Sequence, residues 1–68
     1  MKDLNDLIYV AAVTQTGSLS AAARKLQVNH ATVFRRIAQI EQDLGVRLFE
    51  RGGGRYVATP AGEELAAA

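Results

Sequence analysis

Four aliphatic residues, Val33, Ile37, Ile40 and Leu44, recur along the stretch VNHATVFRRIAQIEQDLG between Val28 and Gly45. On a helix they fall within about 60° of one another and form a narrow core seam. Asn29 is placed to cap the start of this helix and Gly45 to close it, which predicts a helix over about 30–44. Roughly opposite the seam lie Ala31, Arg35, Ala38, Gln39 and Gln42, with Thr32 and Arg36 on one shoulder and His30 and Phe34 on the other. The seam alone suits any small helical core. A histidine, a phenylalanine and two arginines gathered into the first two turns need a separate reason.

Two shorter periodic segments precede it. Leu4, Leu7, Ile8 and Ala11 share helical spacing, with Val10 widening the stripe, and Asp3 or Asp6 suits the positive end of the dipole. TQTG then ends a first helix over about 4–16, with Gly17 at its C-cap. In SLSAAARKLQVN, Ser18 is a good N-cap, the alanines favour helix, and Arg24 with Lys25 suits the C-terminal end. Leu19, Ala22, Ala23 and Leu26 share a face, and the small alanines allow another helix close approach. A short helix, a turn of about three or four residues and a second helix with a polar and basic outer face is the helix-turn-helix pattern.

Beyond Gly45, VRLFE alternates as a half-buried strand does, with Val46, Leu48 and Phe49 competing for the inner face. RGGGR supplies a turn and YVAT a returning strand, so a small hairpin, a wing, is expected over about 46–58. Thr59 followed by Pro60 is a strong helix start. AGEELAAA continues it for about two turns, so the chain is expected to stop inside an element, as a fragment does. The expected fold is mainly α: a winged helix-turn-helix with a three-helix core, a two-stranded wing and the start of a C-terminal helix.

Composition narrows the function. At 68 residues with no cysteine the chain is one small domain with no disulfide framework or thiolate metal site, and a reducing, cytoplasmic setting is expected. The longest apolar run, Leu7 to Val13, is too short to span a bilayer, so no membrane partner is expected. Seven of the eight basic residues lie between Arg24 and Arg55 against three acids, a net +4, whereas the two ends together carry −3. That asymmetry suits a cationic face toward a polyanion, although it is equally the pattern of a solvated surface. Catalysis is not expected: there is one histidine, no serine spaced beside a base, and GGG lacks the lysine and following helix of a phosphate-binding loop. No metal or cofactor is expected in this stretch.

The ordered pieces GS.SAAA..L, V....I..IE..LG..LFER and TPAG after a Gly/Arg-rich hairpin resemble the N-terminal DNA-binding domain of LysR-type transcriptional regulators across essentially the whole chain. The resemblance implies a bacterial, nucleoid-associated transcription factor whose winged helix occupies residues 1–59. Residues 60–68 would begin a linker helix through which the full protein forms a homodimer or higher homo-oligomer, and a small-molecule effector would bind a C-terminal domain absent here. The chain itself is then expected to be a monomer or weak dimer. Departures cluster at the start of the third helix. Where the family usually has Ser-Gln-Pro-Ala-Val-Ser, this chain has Asn29, His30, Ala31, Thr32, Val33 and Phe34, so base preferences do not transfer. Losing proline at 31 frees an N–H and is expected to loosen the helix start slightly. Ala58 stands where leucine is usual and Val10 where phenylalanine is, with Tyr9 expected to fill some of that space.

The candidate DNA-binding residues follow from these two readings. Ser18 and Ser20 offer hydroxyls and backbone N–H groups to phosphate, beside plain capping. Asn29 caps, Ala31 gives clearance, Thr32 and Gln39 offer donors, and His30 is read as a cap or phosphate contact rather than a pH switch. Arg35 is placed on a guanine edge, on a phosphate, or against Gln39. Arg36 is placed on a phosphate or in a salt bridge to Asp43 or Glu41. Phe34 either packs on the second helix or touches a thymine methyl. Arg51 and Arg55, flanking GGG, suit a phosphate strand or a minor groove, with Glu50 the nearest acid in sequence. The competing class is a winged helix that binds protein; a basic and polar outer face on the third helix favours DNA, and Phe34 argues the other way.

Overall fold

The computed structural model describes residues 4–67 in the order α1 (Leu4–Thr16), α2 (Leu19–Leu26), α3 (His30–Leu44), β1 (Phe49–Gly52), β2 (Arg55–Ala58) and α4 (Pro60–Ala67). Asp3 lies outside the described residues. The three-helix core and the antiparallel hairpin are those the sequence predicts, and the bounds of α1 and α3 coincide with the expected ones. Val10, Val13, Val33, Ile37, Ile40, Leu48 and Phe49 are buried together, with Ala22 and Ala23 giving α2 its close approach.

The inward face of α1 differs from the expected one. Leu4 and Ile8 are 78% and 50% exposed, whereas Asp6, Val10, Ala12 and Val13 are buried. Asp6, Val10 and Val13 lie about half a turn of the helix away from Leu4, Ile8 and Ala11. A carboxylate sits on the core side because Arg36 of α3 reaches it: Nη1 donates to Asp6 Oδ1 at 3.2 Å. The same guanidinium stands 5.2 Å from the centre of the Tyr9 ring. Arg36 thus pairs with Asp6, thirty residues away in sequence, instead of Asp43 or Glu41.

Turns and caps follow the sequence closely. Gly17 and Gly45 adopt left-handed conformations at the ends of α1 and α3, and each N–H donates to the carbonyl four residues back, Val13 or Glu41, at 2.8 Å. Ser18 Oγ accepts from the Ala21 N–H at 3.0 Å. At the end of α2 the left-handed position is filled by Gln27, at φ 59°, where the sequence gives no glycine signal. Asn29 Oδ1 accepts from the Ala31 N–H at 2.8 Å. The amide freed by the missing proline is therefore used as a capping donor, so the expected loosening at this point is offset.

The seam of α3 is one residue shorter than expected. Val33, Ile37 and Ile40 are buried, but Leu44 is 40% exposed and lines an open groove with Val46, Leu48, Ala61 and Leu65. Val46 is exposed as well, and residues 46–48 are not strand, so the expected alternation from Val46 does not form. The side chain of Glu41 takes the place of a strand partner: Oε2 accepts the N–H groups of Leu48 at 2.8 Å and Phe49 at 3.2 Å. Leu48 and Phe49 both turn inward as a result, and the ladder begins only at Phe49, paired with Ala58. Gly53 and Gly54, at φ 57° and 76°, form the two-residue turn between Gly52 and Arg55. Positive φ at both central positions is the type I′ geometry that fits the twist of a hairpin.

Thr59 fixes the start of α4 three times over. Its N–H donates to the Leu48 carbonyl at 2.9 Å, its hydroxyl donates to the Arg47 carbonyl at 2.7 Å, and the hydroxyl oxygen accepts from the Gly62 N–H at 3.1 Å. Gly62 is there for space: a Cβ on it would lie 2.1 Å from the Leu48 carbonyl oxygen.

Two outcomes for stability follow. Gly62→Ala should lose about 3 kcal/mol in chemical denaturation despite the better helix propensity of alanine, because the blocking atom is backbone; an unchanged midpoint would show that α4 and the Leu48 segment separate freely. Asp6→Ala should cost about 1–2 kcal/mol, the upper range being discounted for the half-exposed arginine, and Arg36→Ala should not add to it in the double variant. Full additivity would show that the pair does not act as a unit.

Candidate nucleic-acid interface

The outward side of α3 is built by the anchoring of its inward side. Val33, Ile37 and Ile40 are held in the core and Arg36 is held on α1, so His30, Ala31, Arg35, Ala38, Gln39 and Gln42 are all exposed. Arg35 makes no hydrogen bond or ion pair with another described residue, and its guanidinium is free to reach a ligand. Gln39 donates to Asp43 Oδ1 at 3.0 Å, so the expected alternative of an Arg35–Gln39 pair gives way to a local Gln39–Asp43 pair. Thr32 is half-buried on the shoulder, and Asn29 is exposed with its oxygen committed to the cap. Ala31 and Ala38 add no bulk beyond the helix backbone along this strip.

Phe34 does not pack on α2. It is 44% exposed and turns toward the wing, where it shares a small crevice with Ile37, Glu41, Phe49, Arg51 and Tyr56.

Beyond the Glu41 and Thr59 bonds at its base, the wing meets the helices at two places. Its Tyr56 N–H donates to the Gly17 carbonyl at 2.9 Å, in the turn between α1 and α2. Arg55 lies against the same turn, with Nη2 3.1 Å from where a Cβ on Gly17 would stand. That puts a guanidinium beside the N-terminal end of α2, where Ser18 is half-buried in its cap and Ser20 is exposed. At the other mounting, Arg51 lies over the rings of Phe34 and Tyr56. Neither arginine forms an ion pair with a described acid, Glu50 included.

The expected site residues thus fall into three sets: the start of α2 with Arg55, the outer strip of α3 around Arg35, and the wing with Arg51 against Phe34. Arg36 stands apart from them, half-buried and turned to α1. Sequence reasoning did not find Glu41 as the residue that hooks the wing onto α3. The signal was present as an acid one turn before Gly45, on the flank of the seam. Among the described residues no cluster of three His, Cys, Asp or Glu side chains could hold a metal ion, and no helix is long and apolar enough to cross a membrane. The arrangement offers an exposed arginine on the outer strip of α3 with small residues beside it, and two further arginines in the hairpin strands that flank the glycine turn.

The comparisons with known proteins agree with this geometry. Residues 4–63 match the family described as bacterial regulatory helix-turn-helix protein, lysR family. The chain is 44% identical over 66 residues to the iron-regulated virulence regulatory protein IrgB of Vibrio cholerae, covering 97% of this chain and 22% of that protein. It is 43% identical over 68 residues to the AhcY transcriptional activator HvrB of Rhodobacter capsulatus, covering 100% of this chain and 23% of that one. The chain therefore spans about a fifth of the length of these relatives. Among solved structures, the CbnR DBD–DNA complex superposes with a TM-score of 0.89 at 34% identity, over 96% of this chain and 75% of that one. The BenM DBD complex with benA site 1 DNA gives a TM-score of 0.89 at 34% identity, over 96% and 76%. With its family signature, its caps and its wing all in place, this chain belongs to the lysR family of bacterial helix-turn-helix regulators.

Proposed function

We propose that the chain is the sequence-reading part of a transcriptional regulator of this family, with double-stranded DNA as its ligand. The observation that carries the reading is Arg35: an exposed arginine with no partner among the described residues, on the same helix strip as Ala31 and Ala38. A recognition helix requires a fixed inner face, small residues where its backbone nears the groove, and a long forked donor at the base edges. α3 has all three. Its outer strip enters the major groove, with His30, Thr32 and Gln39 as further donors. Ser18, Ser20 and Asn29 stand toward the backbone, and Arg55 reaches phosphate or the minor groove. Arg36 is read as an anchor of α3 and not as a DNA contact.

Residues 1–59 then form the DNA-binding unit, and Pro60 opens a helix through which two copies of the whole regulator pair on a roughly palindromic site. Regulation of transcription in the bacterial cytoplasm, without catalysis by this unit, is the activity that this reading assigns. The alternative of a protein-binding winged helix rests on Phe34, which is 44% exposed but carries Arg51 against its ring, so the surface it offers is cationic as well as apolar.

Arg35→Ala should weaken binding to the preferred duplex by about 1–3 kcal/mol and relax selection at one base position. Equal loss on preferred and random duplexes, measured by competition, would reassign Arg35 to phosphate. Arg55→Ala should leave the preferred sequence unchanged and reduce the slope of log affinity against log salt by about 1. An unchanged slope would remove Arg55 from the interface.

A further inference from the structure

Phe34 and Tyr56 share one cation. The guanidinium carbon of Arg51 lies 5.9 Å from the centre of the Phe34 ring and 5.8 Å from that of Tyr56. Arg51 and Tyr56 are directly opposite in the β1–β2 ladder, so their side chains stand on the same face of the hairpin. Phe34 closes the stack from α3. Tyr56 is held in turn by Phe49, ring edge toward ring at 6.2 Å and 61°, and by its N–H on Gly17. With no ion pair to a described acid, the Arg51 head group is positioned by the two rings. One side of this stack belongs to the element that enters the major groove and the other to the wing.

We propose, on the basis of the DNA reading above, that Phe34 is a specificity-determining residue that acts through Arg51, setting where the wing lies relative to the recognition helix. Glu41 holds the base of the wing on α3, and the stack is the contact that ties the part of β1 nearer the turn to the same helix through residue 34. A side chain without a π face at this position would leave Arg51 without its contact on α3. Base pairs beneath the wing are then selected partly by a side chain on α3. Arg51 serves as a positioning residue, and Arg55 carries the wing's own contact with the nucleic acid.

A double-mutant cycle tests this with Phe34→Leu, which keeps apolar bulk and removes the π face, Arg51→Ala, and the two combined. In the DNA-free chain, the Arg51 δ-methylene protons should resonate upfield under the ring currents, move toward ordinary arginine positions in Phe34→Leu, and stay upfield in Phe34→Tyr. On a duplex selected by the native chain, the double variant should lose little more affinity than the more affected single variant, because either substitution alone releases the same mounting. Phe34→Leu and Arg51→Ala should also change preference at the same flanking base pairs. Ordinary Arg51 shifts in the native chain, or losses that multiply fully, would overturn the proposal. If the native chain selects no duplex, the DNA reading fails and this proposal falls with it, while the DNA-free spectra separately report whether the stack forms.

Discussion

The ion pair between Arg36 and Asp6 decides how the helices meet. α1 carries apolar residues on two sides, Leu4 and Ile8 on one and Val10 and Val13 on the other. Asp6 is buried on α1, and a buried carboxylate without a partner is costly; the half-exposed Arg36 of α3 supplies that partner. Turning Asp6 inward satisfies both groups, brings Tyr9 beneath the guanidinium, and places Val10 and Val13 against Val33, Ile37 and Ile40. The rotation of α3 about its own axis is set by the same contacts. The direction in which Arg35 points is therefore a consequence of where Arg36 is held, one residue further along the helix.

The wing depends on polar hooks more than on its own ladder. A hairpin of two four-residue strands is marginal alone. Here Glu41 takes the two amides that precede the ladder, Thr59 ties the strand exit to Arg47 and Leu48, and Tyr56 is bonded to the α1–α2 turn. These contacts close a ring through α3, the 46–48 segment, α4 and the turn at Gly17. Gly62 is the narrow point of that ring, since α4 passes closely enough over Leu48 to leave no room for a side chain.

Much of the architecture is legible in the chain because it is local. Caps at Ser18, Asn29 and Thr59, helix stops at Gly17 and Gly45, and the glycine turn of the hairpin are each specified by residues within a few positions of where they act. What escaped is non-local or depends on a choice between equivalents. The inward face of α1 is ambiguous in its apolar spacing, and the polar residue that settles it looks like an ordinary first-turn acid. Glu41 is a helix-flank acid until the chain returns past it at Leu48. Gly62 carries no turn signal, because its role is a close approach between segments distant in sequence. The outer strip of α3 was readable from periodicity, whereas the division of labour between Arg35 and Arg36 was not, since it turns on a partner thirty residues away.

The central claim is that the exposed strip of α3 and the adjoining wing form one DNA-reading face. An NMR titration of the labelled chain with short duplex DNA, at low salt and again at higher salt, tests it most directly. The account predicts shifts concentrated in residues 18–20, 29–39 and 51–56, fading as salt is raised. A folded spectrum with no shifts in those residues, or with shifts confined to the groove of Leu44, Val46 and Leu65, would contradict it.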